Sequence, residues 1–391
     1  MNLSIGLSLT RPSGPLGAPA FSPASLFASG EEGAWYDPSD LTTLYQDAAG
    51  TTPVTGTGQP VGLMLDKSKG LTLGSELVDT ANDAAEWVPF GTNTVVQDGD
   101  AVKITFVSDN KGARVLLTQA AGLTQDLLTT SFYRLTFEAK INTGAANVAT
   151  VSIGPNQTFA LSTSYQTFTV QGPKGSGSNP YIQFSGLSAG EIAYIKNISV
   201  KELPGNHATQ STPTARPVLQ SAGGLYYLDF DGVDDFLVAQ YGTTLSNITR
   251  GVAYRADADN DFVFDDYDDV NVCSLYVVPA TSNLRFAVNG AGAGNIVTGV
   301  GGWVLGDDEV AVATALSTSA LALQGSGNPA SGTSSSAPAN INGVTLGAAA
   351  TGLLELNGRI YGFVDVSRGL DAAEIASLET YLATKSGVTL P

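Results

Sequence analysis

Phe132-Tyr133-Arg134-Leu135-Thr136-Phe137-Glu138-Ala139 (residues 132–139) alternates apolar with polar side chains, and so does Ala101-Val102-Lys103-Ile104-Thr105-Phe106-Val107 (101–107). A period of two puts one set of side chains on each face of a strand. Each stretch therefore reads as a strand with one face on a core and the other in water. Further runs of this kind follow at 148–153, 165–170, 181–184 and 192–200, separated by Gly, Asn, Ser and Pro. Several short strands between turn residues predict an antiparallel β-sandwich over 75–203.

The pattern returns in the last third. Tyr226, Leu228 and Phe230 alternate with Tyr227, Asp229 and Asp231, and Phe236-Leu237-Val238 follows a Gly-containing turn. Candidate strands continue at 262–264, 272–278, 284–288, 310–315 and 359–366. Residues 325–340 are nearly all Gly, Ser, Ala, Pro, Thr and Asn, and read as a long loop or hairpin tip. The final segment changes period. Asp371 and Glu374 form a capping-box pair, Ala372, Ile375, Leu378, Tyr381 and Leu382 recur at helical spacing, and Gly387 suits a C-cap. One amphipathic helix is predicted over about 371–385. Upstream, Asp40 is placed to cap a short helical turn through Leu44 and Tyr45. The fold class is all-β, two antiparallel sandwiches with a C-terminal helix.

At 391 residues with 43% hydrophobic side chains the chain has material for two cores. Its net charge is -18, with only 18 Lys and Arg. Nucleic-acid binding needs a basic footprint, so that class is excluded, and docking on anionic lipid is disfavoured. No stretch is long and apolar enough to predict membrane insertion. Residues 1–30, with prolines at 12, 15, 19 and 23, read as an extended arm. Arg11 is the only charged side chain of 1–27, and no basic region precedes a long apolar core, so no secretory signal is expected.

Two separated segments carry a known pattern. The first is W-Y-D-P-S-D-L-T-T-L-Y-Q-D-A-A-G-T-T-P-V (35–54), running on to G-L-M-L-D-K-S (62–68). The second is G-N-H-A-T-Q (205–210), A-R-P (215–217) and L-D-F-D-G-V-D-D-F-L (228–237), with G-R-I-Y-G-F (358–363), S-R-G-L (367–370) and the terminal helix closing the chain. Together they resemble the concanavalin A-like lectin domain, a laminin-G-like jelly roll, of tailed-phage and prophage structural proteins. In that family a segment like L-D-K-S runs almost directly into one like G-N-H-A-T. Here residues 69–204 intervene. The resemblance therefore implies an arm (1–30), a discontinuous lectin-like domain (31–69 and 204–391) and an inserted domain (70–203). The insert resembles a carbohydrate-binding-module-like β-sandwich. It further implies a homo-oligomeric virion protein of a fibre, spike or head/tail appendage. Its partners would be other virion proteins and host-surface polysaccharide, and its location the phage particle.

Catalysis finds little footing. There is no G-x-S-x-G elbow, no P-loop and a single histidine, His207, so histidine-rich zinc chemistry is excluded. The single cysteine, Cys273, lies in an apolar run and reads as a core thiol. A non-enzyme is expected, with purely architectural and polysaccharide-degrading roles as alternatives. Sugar binding needs aromatic platforms. Candidates are Trp87, Tyr165 and Tyr181 in the insert, and Trp35, Tyr226, Tyr254, Tyr267 and Trp303 outside it. Asp257, Asp259 and Asp261 have the first spacings of a calcium loop, and Asp265, Asp266, Asp268 and Asp269 continue the acidic run. The later glycine and bidentate glutamate of an EF-hand are missing, so a solvated, self-repelling turn competes with calcium as the reading. Asp229, Asp231, Asp234 and Asp235 around Gly232 read as a turn held by side-chain to backbone bonds, with metal or glycan contact as the alternative.

Overall fold

A computed structural model describes residues 21–391 apart from 108–110, 130, 144, 175–178, 268–272, 280, 282, 289–295, 319, 336–337, 339, 351 and 353. The protein is mostly β, and every strand pairing among the described residues is antiparallel. Four sheets form two sandwiches. Residues 33–64 and 208–366 build two nine-stranded sheets. Residues 88–202 build two five-stranded sheets.

In the smaller sandwich, strand Phe132–Ile141 lies between Gln166–Pro173 and Ile192–Glu202, with Ala101–Thr105 and Thr94–Asp98 beyond. From Tyr133 onward its side chains alternate buried and half-buried, while Phe132 is buried at the seam. Phe137, Leu135, Ile104 and Val200 point inward and meet Val151, Ile182 and Phe184 from the facing sheet. The core is thus the apolar half of the alternation, and the polar half is left on the outer face.

The larger sandwich is less regular. Strand Ile248–Ala256 is almost wholly buried, because one side packs on the facing sheet and the other lies under the C-terminal helix. That helix, Ala372–Ser386, has the capping box: Asp371 accepts from the Ala373 and Glu374 amides, and Glu374 accepts from the Asp371 amide. Arg368 grips both Glu374 carboxylate oxygens at 2.7 Å. Leu378 and Leu382 press onto Gly251, where any side chain larger than hydrogen would collide with them at 2.9 Å.

Three expectations need correction. Asp40 makes no cap bond to backbone; the turn is a short 3-10 stretch, Leu41–Thr43, and the Asp40 carboxylate binds Thr42 and Lys67 instead. Within the Gly- and Ser-rich segment, Ala330–Thr333 pairs with Ala320–Gly325 as an edge strand, since small side chains do not prevent ladder bonds. Of the expected arm, residues 1–20 lie outside the described residues. Pro23–Phe27 is a 3-10 turn whose Leu26 and Phe27 are buried beside the terminal helix.

The sandwiches meet along a packed seam. The Gly74 amide donates to the Glu202 carbonyl at 2.9 Å, so the two chain crossings lie side by side. Leu63 and Leu65 from one sandwich pack with Phe132 and Leu203. The loop at 47–52 supplies a second contact. Asp47 accepts from the Ala49, Thr51 and Thr52 amides and so shapes the loop. The Gln171 amide then donates to the Ala49 carbonyl, and its side chain reaches the Gly50 carbonyl.

Candidate functional site

A groove runs along the boundary between the two sandwiches. Its inner part has a volume of about 220 Å³ and lies among Ser131, Phe132, Pro173, His207, Gln240, Tyr241 and Tyr267. Its outer part, about 510 Å³, lies among Pro155, Pro173, Gln210, Thr212 and Phe236. Thr209, Val238 and Pro173 line both parts.

Each wall follows from local sequence. Strand Leu237–Leu245 buries Leu237, Ala239 and Tyr241, so alternation turns Val238 and Gln240 outward to the groove. Thr209 sits opposite Val238 in the ladder. Gln210 is fixed by donating to the Phe236 carbonyl at 3.2 Å and accepting from the Thr212 amide at 3.0 Å. On the other side, the Gly154 amide donates to the Pro173 carbonyl at 2.8 Å. Gly154 has φ +63, and a side chain there would crowd Gly172. Phe132 stands edge-on to His207, ring centres 4.6 Å apart.

His207 joins the groove to the seam behind it. Its Nδ1 accepts from the Asp66 amide at 2.9 Å, which leaves the proton on Nε2 to be donated to the Leu203 carbonyl at 3.1 Å. Asp66 is fully buried and accepts from the amides of Trp35, Ser68 and Asn206 and from the Ser68 hydroxyl. Tyr241 turns its hydroxyl inward to Asp365 at 2.7 Å and gives the groove only its ring.

The groove lining contains no Asp, Glu, Lys or Arg among the described residues. In a chain of net charge -18 that is a pronounced local exception. His207 does not restore charge, because burial pushes its pKa down to about 4. The unfolded chain takes up that proton first, so the stability His207 contributes is present above pH 6.5 and lost as pH falls toward 4. Asp66 runs the other way. Burial, outweighing its hydrogen bonds, lifts its pKa to about 6, so its contribution is present below about pH 4 and lost as pH rises through 6. The two offset in the native protein. In His207→Asn the histidine contribution vanishes. Relative to wild type, the variant should then gain up to about 3 kcal/mol between pH 7 and pH 4. Denaturant titrations at each pH measure this, and parallel stability curves would refute a neutral imidazole.

Of the aromatic candidates, Tyr267 is in the groove. Trp35, Trp87, Tyr254 and Trp303 are buried, at 9%, 3%, 3% and 5% exposure, and offer no face to a sugar. Their reading as platforms is corrected on that ground. Trp35 donates to the Tyr381 hydroxyl, Trp87 donates to the Ala81 carbonyl, and Trp303 packs against Gly299 and Gly327. Tyr165, just before strand Gln166–Pro173, and Tyr181, on strand Tyr181–Ser185 of the facing sheet, are half-exposed and are not among the groove's lining residues. Tyr226 is half-buried against the core of the larger sandwich.

The calcium candidates carry partners within the fold. Asp257 is paired with Arg255 at 2.7 Å. Asp261 accepts from the Ala258 and Asn357 amides, and Asp265 from the Asp266 and Ala350 amides. Among the described residues, Asp257, Asp259, Asp261 and Asp265 do not bring three ligand oxygens within 4.8 Å of one another; Asp268 and Asp269 lie outside the described residues. Among the described residues, the acids whose oxygens do gather, within 4.8 Å, are Asp231, Asp234 and Asp235. There the Val233 amide donates to Asp231 and the Asp231 amide to Asp235, which accounts for them as turn-holding groups around Gly232.

Groove residues such as Phe236, Gln240 and Pro173 carry no local signature in sequence. Only the packing of segments far apart in the chain brings them together.

No family model matches the chain, and no curated protein matches it. Among solved structures it is similar to the CBM22-1 xylan-binding domain from Paenibacillus barcinonensis Xyn10C, at 11% identity and TM-score 0.27, over 34% of this chain and 96% of that one. The CBM22-1-CBM22-2 tandem domain of the same protein is similar at 9% identity and TM-score 0.28, over 82% and 94%. Domains LG4-5 of the mouse laminin alpha1 chain are similar at 12% identity and TM-score 0.29, over 73% and 96%. Likenesses this distant decide nothing about what this chain binds.

Proposed function

We propose that this is a non-catalytic glycan-binding protein whose inter-sandwich groove takes an uncharged polysaccharide segment. The observation that carries the reading is the groove's chemistry. Rings and pyrrolidines (Tyr267, Phe236, Pro155, Pro173) suit the apolar faces of sugars, while Ser131, Thr209 and Gln240 suit hydroxyls. Glycoside hydrolysis needs two carboxyl groups flanking the bond, and none lines the described groove.

A panel of neutral and acidic polysaccharides, titrated against the whole chain, tests this. Neutral polymers should bind, and Phe236→Ala with Gln240→Ala should weaken them about tenfold, a loss of about 1.4 kcal/mol. An unchanged affinity in that variant would rule out the groove. Binding to no glycan, with incorporation into a particle, would favour a purely architectural role.

The setting we propose is the surface of a phage or prophage particle, which rests on the resemblance of the 35–68 and 205–237 segments. Many copies there would raise effective concentration, so weak single sites suffice.

A further inference from the structure

The outer face of the five-stranded sheet with strand Phe132–Ile141 at its heart has a different chemistry from the groove. Tyr194 lies directly across from Lys103 on one neighbouring strand and from Lys140 on the other. All three therefore stand on one face, with the lysines flanking the ring about two strand spacings, roughly 10 Å, apart. The Lys140 ammonium is 5.0 Å from the Tyr194 ring centre and 4.6 Å from that of Tyr165. Lys196 stands 4.7 Å from the Tyr165 ring and pairs with Asp100 at 2.9 Å. Neither Lys103 nor Lys140 takes part in an ion pair among the described residues. Two cations thus stand without carboxylate partners in a chain with twice as many acids, 36, as bases, 18. Tyrosine rings hold one of them in place, and a ring-held ammonium keeps its charge available to an anion.

We infer that this face, centred on Lys103, Tyr194 and Lys140, is a second binding site, for an acidic polysaccharide bearing carboxylate groups. The charge is complementary, and two ammonium groups about two strand spacings apart suit two carboxylates of one extended chain. A second copy of this protein fits less well. Stable protein interfaces have an apolar centre. The outward neighbours Thr105, Thr136, Glu138 and Ser199 are small or polar, and Val96, across from Lys103, is an exposed aliphatic at the rim rather than an apolar centre.

The test uses the whole chain, with polygalacturonate and its methyl-esterified form as probes. Polygalacturonate should bind at least about tenfold tighter than the ester, and about fivefold weaker in 0.5 M than in 0.05 M NaCl, because exposed charges are screened. Lys103→Gln with Lys140→Gln should lose at least about tenfold in affinity with an unchanged circular dichroism spectrum. Phe236→Ala should bind polygalacturonate as wild type does, which separates this site from the groove. Equal binding of acid and ester, no binding of the acid, or an unaffected double variant would overturn the proposal. So would sedimentation showing wild-type dimers that the double substitution dissolves, which would make a second copy the occupant.

Discussion

Arg250→Met is expected to destabilise the larger sandwich by about 3–5 kcal/mol at neutral pH. Arg250 is fully buried between the two nine-stranded sheets. From its own sheet, the Asp365 carboxylate accepts from Arg250 Nε at 3.0 Å. From the facing sheet, the carbonyls of Cys273 and Gly343 accept from the Arg250 Nη groups at 2.9 and 2.6 Å. Asp266 stands 4.0 Å away, also fully buried. One side chain therefore ties both sheets and balances buried negative charge. Methionine fills much of the volume but leaves Asp365 and Asp266 without their cation, and an uncompensated buried charge is the costly outcome.

The pH dependence gives a second reading of the same cause. Burial already raises the Asp365 pKa, and removing Arg250 would raise it further. A carboxyl raised in this way contributes stability that is present below its unfolded pKa and lost as pH rises. The deficit of Arg250→Met should therefore shrink from pH 7 toward pH 4. Arg250→Lys keeps the charge but loses the planar fork, and should fall between the two. For a unit of this size, 3–5 kcal/mol is a fall of roughly 10 °C in the melting temperature. A variant as stable as wild type at pH 7 would show that the clasp contributes nothing net.

What the sequence disclosed depended on how many faces of a strand were covered. Phe132–Ile141 packs one face only, so its alternation was legible, and the terminal helix announced itself through Asp371 and Glu374. Ile248–Ala256 is covered on both faces and loses its period; the run Ile-Thr-Arg-Gly-Val-Ala-Tyr-Arg-Ala gives no strand signal. The aromatic candidates failed for a related reason. A tryptophan reads the same in sequence whether its ring faces a core or a ligand, and Trp87 and Trp303 face cores. Apart from Tyr267, the groove was illegible because its walls come from residues 48, 129, 131–132, 154–155, 173, 205–212 and 236–241, which share no spacing. The seam was partly legible, since L-D-K-S and G-N-H-A-T supply Asp66, Ser68, Asn206 and His207, which bond to one another.

That seam carries the other large effect. Asp66→Ala is expected to cost about 3–5 kcal/mol, because several buried donors lose their acceptor at once. The Trp35, Ser68 and Asn206 amides are 2.8 Å from the Asp66 carboxylate, and the Ser68 hydroxyl 2.7 Å. These residues bracket the point where the chain leaves the larger sandwich and the point where it returns. Loosening them should free the crossings without melting the smaller core, whose Phe137, Ile104 and Phe184 lie elsewhere. Calorimetry should show the transition of the larger sandwich moving down and that of the smaller one staying near its wild-type temperature. Limited proteolysis should then cut within 66–76 or 202–206, releasing the 75–203 block as a folded fragment. Asp66→Asn keeps an acceptor oxygen but introduces two donors into a site already full of them, so it should recover only part of the loss. If Asp66→Ala shifts both transitions together, the two sandwiches form one cooperative unit, and the reading of 70–203 as an inserted domain with its own stability would have to be abandoned.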